Sequence, residues 1–521
     1  MTRLSLVTGI FAAAFLALFL FYPLGVILMR SASSLDTISD VLSNPYYLKR
    51  LAFTTYQALL STLITVLLAL PSALLFARFD FRGKRVLRSA FTIPFVMPTV
   101  VAAIGFLTLL GPRGLLSVDL RDTLAIILFA HVFYNYAVVV RIVGAYLEAV
   151  GPRLRQASAM LGASPLRTLW RVTLPLALPA IIAAATLVFI FCFTSFGVIL
   201  ILAPEPQFGT LEVEVYRLTA RLLQLESAAV LVLVQLLVIS LFTWVYTRMQ
   251  ARLAVSLGGG SVLSKPTGLW RWLLALNMFV AVTLILSPLL ALTLSAFWTD
   301  DGFSLRNFAA LGEVSRSVGF AGAGRAIFNS LRFALSSMTL SLVVGFAFAY
   351  AIVRGGWRIL DSLSLLPLAT SAVTLGFGYL LAFPGLSSSL YGIILAHTLI
   401  AFPFVVRSVL PALRALPPNL LHAARMLGSS PLTILRRVEL PLLIPSLIAA
   451  ASFAFAVSMG EFGATLVLQR PEFATIPVAI FDRLGRPGAA NYGAALALSV
   501  LLMLITGAVM VLLERFGEGE F

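Results

Sequence analysis

The feature that most constrains this chain is a series of uninterrupted apolar runs, many longer than the roughly 20 residues a helix needs to cross hydrocarbon. Six fall in the first half, near 6–29, 52–77, 90–110, 124–147, 177–203 and 227–247. Six more fall in the second, near 269–297, 326–353, 359–383, 391–412, 442–468 and 492–513. The expectation is an all-α integral membrane protein with about twelve spans. Continuous runs exclude a closed barrel, whose strands alternate apolar and polar positions over about ten residues. Composition agrees. Only 11% of the 521 residues are charged and 60% are hydrophobic, whereas a soluble domain carries about 25% charge.

Charge sets the orientation. The net charge of +16 collects in short loops between runs. Arg78, Arg82, Lys84, Arg85 and Arg88 follow the second run; Arg153, Arg155, Arg167 and Arg171 follow the fourth; Arg248, Arg252, Lys265 and Arg271 follow the sixth. Basic loops stay cytoplasmic, so both termini are expected inside the inner membrane. The opposite loops carry Asp119, Asp122, Glu205, Glu212, Glu214, Asp300 and Asp301 among fewer basic residues. The basic surplus thus reports topology and contact with anionic membrane lipid, not nucleic acid. Cys192 is the only cysteine, which excludes an intrachain disulfide and a thiolate metal cluster. No metal site is expected. The first run, after Arg3, is too long for a signal-peptide core and reads as a retained anchor.

Shifting the sequence by 266 positions superimposes the chain on itself. Ala130-His131 meets Ala396-His397, Arg141 meets Arg407, and Met160-Leu161-Gly162 meets Met426-Leu427-Gly428. Leu174-Pro175 meets Leu440-Pro441, and Phe196-Gly197 meets Phe462-Gly463. An equal number of spans precedes each point, so the halves share one orientation and relate by an axis along the membrane normal. The reading is a first six-helix repeat over 1–255, a cytoplasmic linker over 256–268 and a second repeat over 269–521. The linker holds Gly258-Gly259-Gly260-Ser261, a flexible composition.

The best-matched stretch is a cytoplasmic loop. Its first copy runs Gln156-Ala157-Ser158-Ala159-Met160-Leu161-Gly162, then Ser164-Pro165, and on to Leu174-Pro175. Its second runs His422-Ala423-Ala424-Arg425-Met426-Leu427-Gly428, then Ser430-Pro431, and on to Leu440-Pro441. Each predicts a short amphipathic helix ended by the Gly. A Ser-capped helix with Pro at its first position follows, and Leu-Pro closes it before the next span. Two such helices about a pseudo-dyad suit a two-fold partner; ordinary interfacial helices are the plainer reading.

At these residues the chain resembles the integral-membrane subunits of ATP-binding-cassette importers. Their signature is Glu-Ala-Ala, three residues, Gly, nine residues, then Ile-x-Leu-Pro. Both copies keep the first Ala (Ala157, Ala423), the Gly and the Leu-Pro at that spacing; Gln156 and His422 replace the Glu, and Val172 and Val438 replace the Ile. The resemblance implies a type I importer permease fold, whose loops act as coupling helices on two copies of a cassette ATPase. It also implies a periplasmic or lipid-anchored substrate-binding protein. No G-x-x-x-x-G-K-[ST] loop occurs in the chain, so ATP would be used by the partner, with no cofactor bound here and no enzyme activity of its own.

For cargo, fused double-length permeases of this shape resemble the thiamine, iron(III) and, more loosely, polyamine importers. Phe191-Cys192-Phe193-Thr194-Ser195-Phe196-Gly197 and Ser458-Met459-Gly460-Glu461-Phe462-Gly463 carry the likeness, which favours thiamine, with iron(III) close behind. His131, Ser195, Phe196, His397, Glu461 and Phe462 are the candidate pathway residues. An ionisable residue within a span is a functional candidate, and Glu461 would suit a cation. Its Glu-Phe-Gly also resembles molybdate and sulfate permeases, so it does not choose the cargo, and a structural carboxylate is the plainer reading. His131 and His397 either face each other across the dyad or bond within the bundle, and Arg141 and Arg407 snorkel to the interface. Gly105-Phe106 and Gly376-Phe377-Gly378 predict close helix packing. The competing class is a twelve-span secondary carrier of major-facilitator type, faintly suggested by Asp80-Phe81-Arg82-Gly83-Lys84-Arg85. It leaves the duplicated Gly…Leu-Pro loop unexplained.

Overall fold

The computed structural model describes residues 3–32, 35–91, 93–204, 206–253, 264–299, 302–313, 322–468 and 470–518. The linker residues Gly258-Gly259-Gly260-Ser261, and Glu205, Asp300 and Asp301, lie outside these. Among the described residues ten helices are long and apolar enough to span: Arg3–Ala32, Pro45–Arg78, Leu124–Val150, Pro165–Phe193, Leu225–Met249, Leu269–Phe297, Ala323–Gly355, Leu390–Ala415, Pro431–Gly460 and Ala489–Leu513. A two-stranded hairpin, Trp298–Thr299 with Gly302–Phe303, follows the sixth of these. The fold is all-α and membrane-embedded.

Two expected spans are not straight helices. In the first half the 90–110 run breaks into Lys84–Ala90, Ile93–Val96 and Thr99–Leu110. In the second, 359–383 becomes Arg358–Leu368 and Ala372–Ala382, bent by 99°. Proline explains the first break: Pro98 precedes Thr99–Leu110 in a non-helical conformation (φ −54°, ψ 134°), and its ring cannot continue a helix. In the second, Ser371 takes extended dihedrals and its hydroxyl caps the new helix by accepting from Thr374 N–H at 3.0 Å.

The fifth and eleventh runs also stop short of their apolar length. Pro165–Phe193 ends, and the chain resumes as a short helix, Gly197–Leu202, after a break at Thr194-Ser195-Phe196. Its counterpart ends at Gly460, and Gly463–Leu468 follows Glu461-Phe462. Both breaks fall at one place in the repeat.

The first helix of each half packs on the other half. Ala12, Phe15, Leu16 and Leu20 share a buried cluster with Phe348, Phe402 and Val405, and Phe15 meets Phe402 edge-on at 5.8 Å. Reciprocally, Leu274, Ala281 and Ile285 join the first-half core, and Trp270 packs on Phe79 at 5.9 Å. Small residues allow the approach. A Cβ on Gly105 would stand 2.7 Å from the Pro288 carbonyl oxygen, and one on Gly378 would stand 3.0 Å from Pro23 Cβ. In a membrane, where helix association rests on close van der Waals contact, these two glycines fix the exchange.

Candidate coupling loops and transport path

The duplicated loops form matching turns. Arg153–Met160 and Pro418–Met426 are short helices, ended by Gly162 at φ +75° and Gly428 at φ +72°. Ala163 N–H donates to Ser158 O at 3.1 Å, and Ser429 N–H to Ala424 O at 3.1 Å. That is a Schellman closure, which needs the left-handed conformation glycine tolerates. Ser164 and Ser430 hydroxyls then accept from Arg167 and Thr433 N–H at 3.3 and 3.2 Å, with Pro165 and Pro431 at the first turn.

One expectation fails at Leu-Pro. Leu174-Pro175 and Leu440-Pro441 do not close a helix but continue one, Pro165–Phe193 and Pro431–Gly460. A proline inside a helix clashes with the carbonyl four residues back. Here the turns before it widen to π geometry: Leu174 N–H bonds to Leu169 O, and Leu440 N–H to Leu435 O. The widened turn absorbs the clash. A single element therefore runs from each duplicated loop to the break near Phe196 or Phe462.

At the loop tips stand large, exposed apolar side chains. Met160 and Leu161 are 89% and 88% exposed; Met426 and Leu427 are 88% and 84%. Burying such a side chain is worth about 1.5–3 kcal/mol, and paired exposed apolar patches mark contact surfaces. Gln156, Ala157, His422 and Ala423 are exposed on the same helices, while Leu174 and Leu440 are half-buried where the helices enter the bundle.

At the far end from these loops the two helix breaks meet. The Phe196 and Phe462 rings stack at 5.7 Å across the two halves, an equivalent pair under the 266-residue shift. Tyr216 packs on Phe196 at 5.4 Å and Phe481 on Phe462 at 5.5 Å. These four rings form a plug. On its loop side lies a cavity of about 330 Å³, lined by His131, Ser195, Phe196, Glu461 and Phe462. A second cavity of about 330 Å³, sharing Phe191 and Phe404 with the first, carries Arg141 and Arg407. On the far side of the plug lies a larger one, about 600 Å³, bounded by Tyr216 and Phe481.

Glu461 is committed to structure. Its carboxylate accepts from Ala464 N–H at 2.8 Å, Thr465 N–H at 3.0 Å and Thr465 hydroxyl at 2.6 Å, which caps Gly463–Leu468. His397 Nε2 lies 3.1 Å from it and 2.8 Å from Thr465 Oγ1, and its Nδ1 lies 2.7 Å from Ser458 Oγ. His131 Nδ1 meets Ser61 Oγ at 2.8 Å. Each histidine is thus engaged within its own half, and His397 stands one layer behind the cavity wall. Sequence reasoning assigned Glu212 to an outer loop. It is fully buried in the middle cavity wall with Gln235 donating to it. Arg407 does not simply snorkel; it pairs with Asp361 at 3.2 Å.

The family described as binding-protein-dependent transport system inner membrane component matches residues 56–255 and again 341–517. Over nearly its whole length the chain is similar to two thiamine transport system permease proteins (ThiP). The one from Salmonella typhimurium LT2 is 26% identical over 98% of this chain and 95% of its own; that of Escherichia coli K12 is 26% identical over 96% and 93%. A putative 2-aminoethylphosphonate transport system permease protein (PhnV) of Salmonella paratyphi A is 31% identical over 45% of this chain and 88% of its own. With the family's domain matched twice, over most of its length, the chain belongs to the inner-membrane permeases of binding-protein-dependent, ATP-driven importers.

Proposed function

We propose that the exposed loop helices dock on two copies of a separate cassette ATPase, and that the opposite end receives cargo from a periplasmic or lipid-anchored binding protein. Both termini then face the cytoplasm, and 1–255 and 269–521 act as the two permease repeats about the linker 256–268. The pair of Met-Leu tips, on equal Schellman turns at one repeat offset, carries this reading. ATP is bound by the partner, and this chain holds no cofactor.

The mechanism follows from continuity. A helix of 29 or 30 residues, about 45 Å long at 1.5 Å per residue, joins each docking loop to one half of the plug. When the ATPase pair closes, the loops approach and the helices tilt, so Phe196 and Phe462 part. Access then passes from one side to the other, as alternating access requires. Gly162, Gly428, Leu174, Pro175, Leu440 and Pro441 position the lever; Ser195, Phe196 and Phe462 form the gate; His131, His397 and Glu461 brace it. The full-length relatives named for thiamine support a small organic cargo over iron(III).

Mild-detergent purification of the tagged protein from its host, with partners identified by mass, tests the reading. Recovery of a cassette ATPase is the expected result. An ATPase-free preparation that transports solute down an ion gradient would instead fit the twelve-span carrier.

A further inference from the structure

The large cavity beyond the plug has an unusual wall. Six arginines line it, namely Arg113, Arg121, Arg217, Arg221, Arg483 and Arg486, and among the described residues its lining includes no Asp or Glu. These residues come from three separated stretches of sequence, 113–121, 217–221 and 483–486, and both halves contribute. Arg483 is fully buried. The loops at this end mix acids with bases, so convergence of one sign on one concavity is not a consequence of composition. The positive-inside bias also disfavours arginine on this side.

Nearby acids offset part of the charge. Glu214 engages Arg217 at 2.8 Å, and Asp122 lies 3.6 Å from Arg121. Asp482 adjoins Arg486, but burial raises its pKa above the ordinary value against the pull of that arginine. Arg113 lies over the Tyr492 ring at 5.9 Å, and Arg221 is exposed at the rim. A concave, low-dielectric wall of one sign focuses potential and raises the local concentration of the opposite charge. Guanidinium forks match phosphoryl, phosphonyl and carboxylate oxygens. The plug rings Tyr216 and Phe481 close the floor of the same cavity, so anything collected there waits at the gate.

We propose that this cavity is an entry vestibule for an oxyanion, and that the transported molecule carries a phosphate, phosphonate or carboxylate group. The inference rests on the importer reading and narrows its cargo. Naked thiamine and free ferric iron are repelled by this wall; a phosphorylated or phosphonylated organic amine is drawn in. Docking of an acidic face of the binding protein is the rival use, and a cavity floored by the gate and holding a buried arginine fits a small anion better.

The test uses the purified full-length chain in lipid nanodiscs. Phosphorus resonance broadening reports binding of 2-aminoethylphosphonate and thiamine monophosphate; proton broadening reports thiamine. Both phosphorus probes are expected to broaden, and Arg113→Gln/Arg221→Gln, at the exposed rim, is expected to weaken that binding about tenfold or more. Thiamine binding that equals theirs, or phosphorus signals indifferent to the double variant, overturns the proposal. Absence of binding by any probe at millimolar concentration also overturns it and leaves protein docking. The importer reading fails separately. Gly428→Asp is expected to lose the ATPase in purification while keeping anion binding, and Arg113→Gln/Arg221→Gln to do the reverse.

Discussion

The two halves place a histidine at the same point and surround it with opposite chemistry. Around His397 stand Ser458, Glu461 and Thr465, all bonded to it or within reach. The 266-residue shift puts Cys192, Ser195 and Ile199 at those positions, so His131 has only Ser61 for its Nδ1, and among the described residues its Nε2 has no partner. One half of the gate is therefore held by a polar network that includes a carboxylate, and the other by fewer polar bonds, from Ser61, Asn135 and Gln57. A buried polar network is rigid when every member is satisfied. On the proposed gating motion, the second half would be the fixed jaw of the plug and the first the yielding one.

The comparison is broken most severely at the loops feeding each jaw. Gly162→Asp and Gly428→Asp each put a Cβ into a left-handed turn, at up to about 1–2 kcal/mol, and set an acid on the docking face. Uptake should fall at least about tenfold for either while membrane insertion is unchanged; retained uptake in both would remove the coupling assignment. Next in size is the brace. Glu461→Ala strands two amides and a hydroxyl and removes a contact of His397, and should cost at least about 2 kcal/mol in thermal unfolding of the detergent-purified protein. Ser195→Ala should stay within about 0.5 kcal/mol, and equal losses would show that the halves are braced alike. A graft sharpens the contrast: Cys192→Ser, Ser195→Glu and Ile199→Thr together supply His131 with the missing network. Stability should rise and transport slow, because both jaws then hold; faster transport would contradict the assignment of roles. Smallest is capping, where Ser164→Ala and Ser430→Ala should each cost about 1 kcal/mol, equally in both halves.

Apolar length and duplication made the membrane fold legible, since both depend on local composition and register. The loop helices were legible too, because Gly162 and Gly428 lack the Cβ that opposes a left-handed turn and Ser164 and Ser430 carry capping hydroxyls. The bends at Pro98 and Ser371 were missed, as apolar length says nothing about direction. Leu174-Pro175 misled for a related reason: proline reads as a stop, yet a widened turn lets the helix pass. Phe196 and Phe462 were flagged by the repeat and by the resemblance of their segments to thiamine permeases. The six arginines beyond the plug carry no local signature, being scattered from Arg113 to Arg486. Only the fold gathers them.

The exchange of first helices has a consequence in time. The Arg3–Ala32 helix leaves the ribosome well before its partner Phe402, which follows 387 residues after Phe15. At ~5–20 residues per second that interval is roughly 20 to 80 s. During it the Ala12–Leu20 face of the helix lacks the Phe402 surface it finally packs on, although Ile27 already has first-half partners. Lipid tails are as apolar as the eventual partner, so the wait exposes nothing to water, and the bilayer acts as a holding chamber. The two halves consequently finish together, and the gate does not exist until the last third of the chain has been made.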